Sequence, residues 1–234
     1  MMSSVVAFAA FALSLAFAAS PLLVPGFGGF DPDQFPIPQV NPPVQPAGYA
    51  FAIWGLIYAW LIISLGFGLL QRRLDPGWDA MRLPLCLSLA VGTVWLPVAM
   101  ASPIWASILI WVMLLSALAA LFQAPRSDLW LAAYPVGLYA GWLSAASCVS
   151  LGLLAAGYGW MSQTTAAYLF IGLAILLAVV IQTRLTQVPT YGLAVIWALA
   201  AVTVRNFGAA PGVALIAAAG AATLMVITRK SRPD

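Results

Sequence analysis

The sequence predicts an all-α integral membrane protein with about eight transmembrane helices, and three observations carry that prediction. Hydrophobic residues make up 64% of the chain and charged residues only 6%, whereas a soluble domain carries roughly a quarter of its residues charged. The apolar residues fall into runs of about 20, enough to cross the hydrocarbon core as helix. Between the runs, the cationic side chains gather in alternate links.

Residues 5–24 form the first run. A signal peptide competes here, because Ala16, Phe17 and Ala18 fit a small-residue cleavage site; the absence of Lys or Arg ahead of the run favours a retained helix. A loop over 25–46 follows, rich in Gly and Pro, with Asp31 and Asp33 as its only charges. Pro46 is the last proline before helix 2 (47–70), a position suited to a first helical turn because the missing amide would have no partner there. Phe51, Trp54 and Tyr58 then recur at i, i+3 and i+7, which puts three large rings on one helix face. The segment QRRLDPGWDAMR reads as a polar link. Helix 3 is expected over 83–101, helix 4 over 103–122, helix 5 over 129–156, helix 6 over 163–183, helix 7 over 190–204 and helix 8 over 211–228.

The basic residues test that count. With a cytoplasmic N-terminus, the inner segments hold Arg72, Arg73, Arg82, Arg126, Arg184, Arg229, Lys230 and Arg232, and the outer ones hold only Arg205. That asymmetry is the positive-inside pattern, and it requires an even number of spans. It accounts for the net charge of +3 without a nucleic-acid partner. It also predicts both termini in the cytoplasm and loop 25–46 outside, in the periplasm if the membrane is a bacterial inner membrane. Three charges at the C-terminus fall short of a lipid-binding cluster and read as an anchor.

Absences narrow the function. The chain has no histidine, which excludes imidazole ligation of haem or metal and a Ser-His triad. There is no glutamate, and all six aspartates lie in loops or at the C-terminus, so no carboxylate is placed to carry protons within the bilayer. The only lysine, Lys230, follows the last helix. No phosphate-binding loop or metal-ligand spacing appears. Cys86 and Cys148 sit in apolar runs and read as small hydrophobes. The expectation is a protein that is not an enzyme and has no covalently bound cofactor.

What remains is aromatic surface. Trp78, Trp130 and Trp160, at helix ends or in loops, fit an interfacial belt, whereas Trp54, Tyr58, Trp95, Tyr139 and Trp142 lie deeper. On helix 5, Pro135, Tyr139, Trp142 and Ala146 share a face, and Gly137, Gly141 and Ala145 make a strip suited to close helix approach. On helix 8, Ala214, Ala218 and Ala222, with Gly220 alongside, predict another close contact. From spacing alone, a pocket for a planar ligand and plain bundle packing both stay open.

The runs PAGYAFAIWGLIY, GTVWLPVAM and YPVGLYAGWLSAAS, in that order on helices 2, 3 and 5, resemble the tryptophan-rich sensory protein (TspO, or translocator protein) family. The resemblance covers about residues 5–156. It implies a five-helix transmembrane domain (1–156) that binds porphyrins and other flat hydrophobic molecules under an external loop, often as a homodimer, followed here by a three-helix extension (157–234). Carried over to this chain, the pocket would use Trp54, Tyr58, Trp95, Tyr139, Trp142 and Ala146, among helices 1, 2, 3 and 5, with Pro42 and Pro43 shaping the lid. The chain departs from the family at Gly92 and Ser147, where the family usually has Asn, and at Val44 and Gln45, which stand where lid tryptophans would follow the Pro-Pro pair. The extension would cover the core, or would replace a dimer contact and dock the protein to a larger membrane complex. Two functions follow. One is a sensor or regulator that takes a porphyrin or other tetrapyrrole, a carotenoid or a lipid. The other is a non-catalytic assembly subunit whose rings only pack.

Overall fold

The computed structural model describes residues 2–24 and 28–230. Among these, eight α-helices form and no strand: α1 (Met2–Leu23), α2 (Ile53–Gln71), α3 (Pro76–Ala101), α4 (Pro103–Gln123), α5 (Ala133–Gly157), α6 (Gln163–Arg184), α7 (Pro189–Asn206) and α8 (Pro211–Lys230). Seven are long and apolar enough to cross a membrane. The eighth, α7, has 18 residues with Thr190 and Tyr191 at one end and Arg205 and Asn206 at the other, and ten of the 18 are buried against neighbouring helices. The chain is an α-helical integral membrane protein.

Four helices start on a proline, at Pro76, Pro103, Pro189 and Pro211, where a fixed φ and a missing donor cost nothing. Asp75 caps α3 by accepting from the amides of Gly77 (2.8 Å) and Trp78 (3.3 Å). Ser162 caps α6 by accepting from Thr165 (3.1 Å). The start of α7 is capped from outside. The side chain of Gln182 on α6 accepts from the Gly192 amide at 2.7 Å and donates to the carbonyl of Leu185 at 3.0 Å.

Helix α3 starts seven residues earlier than the sequence predicts, and the charges that made 71–82 look like a link explain why. Arg82 is fully buried, pairs with Asp79 one turn away (2.8 Å) and donates to the carbonyl of Arg72 (3.1 Å). One cation thus neutralises its own helix's carboxylate and caps the C-terminal end of α2, whose last carbonyls have no partner within their helix. Trp78 is likewise no belt residue: it is completely buried, stacks under the Arg82 guanidinium (5.3 Å) and donates its indole N–H to Asp128 (3.0 Å). Asp128 also accepts from Arg72 at 3.0 Å, and this bond, with the indole N–H, holds its carboxyl below the ordinary carboxylate range. Trp130 and Trp160 are largely exposed, as belt residues should be. Of the basic residues that set the charge asymmetry, Arg232 lies outside the described residues.

Helices pack in the order α1, α2, α5, α4, α3 around one ring, and α5, α6, α8, α7 around a second. Helix α5 is common to both and is buried from Ala133 through Ala145 without a break. Its glycine strip admits α7. A Cβ on Gly141 would lie 2.2 Å from the Tyr191 carbonyl oxygen, so the two backbones touch there. Across the same seam Thr190 donates to the Tyr134 carbonyl (2.8 Å) and the hydroxyls of Ser144 and Tyr191 pair at 3.0 Å. On α8 the buried residues are Val213, Ala214, Ala217, Gly220, Leu224 and Thr228; of the alanine row, Ala214 is buried, Ala218 half-buried and Ala222 exposed. Gly220 lets Ile175 of α6 and Leu199 of α7 close over it.

Candidate ligand cavity

The first ring encloses a cavity of about 310 Å³, walled by α1, α2, α3, α4 and α5. Its aromatic wall starts on α2, where Trp54 and Tyr58 stack one turn apart (centroids 5.3 Å, planes 19°). Trp142 of α5 meets Trp54 edge-on at 6.2 Å and Phe51 at 5.9 Å. Trp95 of α3 is held by its indole N–H, which donates to the Ala106 carbonyl of α4 at 2.9 Å. Ala146 leaves room on the α5 side. Among the described residues no charged side chain lines the cavity; besides its tryptophans, its polar residues are Ser20, whose hydroxyl donates to the Phe17 carbonyl at 2.8 Å, and Tyr58.

The structure therefore brings Trp54, Tyr58, Trp95, Trp142 and Ala146 to one space. Tyr139 is not among the lining residues. It is fully buried beneath the wall, its hydroxyl within 2.9 Å of the Ser88 hydroxyl and its ring 6.3 Å from Trp54. It supports the wall rather than facing the space. Pro42 and Pro43 do not line the space either. They form a turn, with the Gln45 amide donating to the Pro42 carbonyl at 3.1 Å, and the residues they deliver, Val44, Gln45 and Pro46, roof a second, smaller cavity of about 80 Å³ beside the first.

Phe17 is the wall residue that the sequence reading missed. From α1 its ring stands edge-on to Tyr58 (5.1 Å), Trp54 (5.7 Å) and Tyr139 (5.7 Å). It fits because Gly92 carries no side chain: a Cβ there would lie 2.6 Å from the ring. The space at Gly92 is thus filled by a phenyl ring from another helix. A signal was available, since Ala7, Ala10, Ser14 and Phe17 are buried at i, i+3, i+7 and i+10 on α1. Ser147 is buried and donates to the Ile110 carbonyl over 3.5 Å.

The loop is fastened across the top of both rings. Gln34 donates to the last carbonyls of α3, Ala99 (3.0 Å) and Met100 (2.8 Å). The Ile37 amide donates to the Gly157 carbonyl at the end of α5 (2.9 Å), and Gly157 leaves the space that Phe35 fills. Four further ties reach α7. Arg205 donates to Asn41 (3.1 Å), Asn206 to the Pro43 carbonyl (2.9 Å), the Ala47 amide to Ala201 (3.3 Å) and the Trp197 indole to Ala50 (2.9 Å). Asn41 adopts φ 51°, a left-handed conformation that asparagine tolerates. Nothing in the loop's composition pointed to α7 as its anchor.

Among the described residues, no three of His, Cys, Asp and Glu come together as a metal-ligating group. The site's chemistry is that of shape and ring contact. No curated protein and no solved structure matches the chain. The model of the family described as TSPO-like protein matches residues 37–229, from within the loop through most of α8, so α6, α7 and all but the last residue of α8 lie inside the matched region. The chain belongs to the TSPO-like protein family.

Proposed function

We propose that this membrane protein binds a flat hydrophobic molecule, a porphyrin or related tetrapyrrole, in the cavity of the first ring and acts as a sensor or regulator of that ligand. The observation that carries the reading is the convergence of Phe17, Trp54, Tyr58, Trp95 and Trp142 from four helices on a single space of about 310 Å³, within the usual range of small-molecule pockets. Aromatic faces and edges suit a planar ring system, because each buries a large apolar area with defined geometry. The ligand is held without a covalent bond, and the hydroxyl of Tyr58 offers it a polar partner. The arginine-rich ends face the cytoplasm in this reading, and the fastened loop lies on the periplasmic side of a bacterial inner membrane.

The test is a titration of the protein in mild detergent with protoporphyrin IX, followed at the Soret band. Saturable binding near one porphyrin per chain supports the reading. A linear, non-saturating response that matches detergent alone overturns it.

A further inference from the structure

The second cavity differs in chemistry from the first and shares a wall with it. Phe51, Trp95, Ile110, Trp142 and Ala146 line both. Beyond them the second space runs between α5, α6 and α7, beneath Phe30, Val44 and Pro46 of the loop. Its volume of about 80 Å³ is room for roughly five water-sized groups. Among the described residues this space presents almost no polar surface, although Gln45 stands in its roof beside Val44 and Pro46. Ser150, its one hydroxyl-bearing residue, already donates to the Ser147 carbonyl at 2.8 Å, and the Trp95 indole N–H is taken by Ala106. The walls proper are Val149, Leu153, Ile171, Ala174, Ala198 and Leu199. On α5, which is otherwise buried from Ala133 through Ser150, only Ala146 and Val149 regain partial exposure, and both face this space.

A polar group placed there would lose its hydrogen bonds to water without replacement, whereas hydrocarbon loses nothing. The two cavities adjoin at Trp142 and Ala146, which line both. We infer that the ligand of this protein is a flat ring system bearing a short hydrocarbon arm of about four to six carbons, with the ring in the first cavity and the arm in a subsite built by α5, α6 and α7. The inference rests on the proposed ligand reading and deepens it. It gives α6 and α7 a role in selecting the ligand, because Ile171, Ala174, Ala198 and Leu199 all come from them.

The experiment compares pyrene with 1-butylpyrene, two probes that share the flat ring and differ only in the arm. Binding is read by energy transfer from tryptophan in the wild-type protein and in Ala174→Leu and Ala198→Leu, two changes that narrow the second cavity alone. The wild type should bind butylpyrene several-fold more tightly than pyrene. Each variant should bind pyrene as the wild type does and lose roughly tenfold or more of its affinity for butylpyrene, the cost of forcing extra carbons into a filled site. Retained pyrene binding also shows that the variant is folded. If the wild type binds both probes saturably but equally, the arm subsite is refuted and the ligand reading stands. If protoporphyrin IX, titrated in parallel, binds saturably and neither pyrene does, the arm subsite is refuted; if none of the three binds saturably, the ligand reading fails and takes the subsite with it.

Discussion

The side-chain amide of Asn206 on α7 donates to the carbonyl of Pro43, 2.9 Å away, and ties the Pro-Pro turn of the outer loop to the seventh helix. Asn206 is buried and donates also to Val202 (2.8 Å), so both amide hydrogens are used. The lid is thereby fixed to a helix that lines the subsite and does not line the aromatic cavity.

Removing that tie should loosen the lid. Asn206→Ala leaves the Pro43 carbonyl without its partner, at a cost of about 1–3 kcal/mol. Limited proteolysis should cut within residues 28–46 faster in the variant, and bound porphyrin should dissociate faster. Unchanged cleavage and dissociation would show that the bond does not hold the loop.

Gly92 and Phe17 should behave as a coupled pair. Gly92→Ala brings a methyl group to 2.6 Å from the Phe17 ring, and the ring yields most readily toward the open cavity. Porphyrin affinity should fall, and adding Phe17→Ala to the variant should restore much of the loss. A double-mutant cycle over the four proteins reads the coupling directly; strictly additive effects would contradict the arrangement.

The seam between α5 and α7 should tolerate no added carbon at Gly141. The obstructing atom is the backbone carbonyl oxygen of Tyr191, which cannot rotate away as a side chain could. Gly141→Ala should lower the thermal stability in detergent by about 1–3 kcal/mol. Gly172→Ala is the control, because nothing lies within 4 Å of its added carbon.

Acid should weaken the arginine-rich end through Asp128. Arg72 and the Trp78 indole hold this carboxyl below its ordinary range. An acid whose pKa is lowered by folding contributes stability above its unfolded pKa and loses it as the pH falls through the folded value. Melting temperature in a non-ionic detergent should therefore decline as the pH drops below about 4, and Asp128→Asn should flatten part of that decline. An identical pH profile in the variant would remove Asp128 from the account.

Much of this was legible in the sequence because membrane helices obey simple length and charge rules. The arginine asymmetry and the run lengths placed all eight helices, and ring spacing on α2 and α5 brought Trp54, Tyr58 and Trp142 to a common wall. Tyr139 shares the Trp142 face by spacing yet lies beneath the wall, because its hydroxyl finds Ser88 and pulls the ring into the packing. The first turns of α3 looked like a link because Asp79 and Arg82 are charged; their pairing and the capping of α2 are tertiary facts that no local pattern records. The same is true of Phe17, whose place depends on a glycine on another helix, and of the loop's anchor on α7, about 160 residues away in sequence.

The most direct test of the central claim compares porphyrin binding to wild-type protein, Trp54→Ala, Trp142→Ala and Trp160→Ala, followed at the Soret band so that loss of a tryptophan does not itself alter the signal. Trp54 and Trp142 line the cavity, whereas Trp160 is largely exposed at the end of the bundle. Trp54→Ala and Trp142→Ala should each weaken binding by roughly tenfold, about 1.4 kcal/mol, and Trp160→Ala should bind as the wild type does. Equal affinity in all four proteins would contradict the claim.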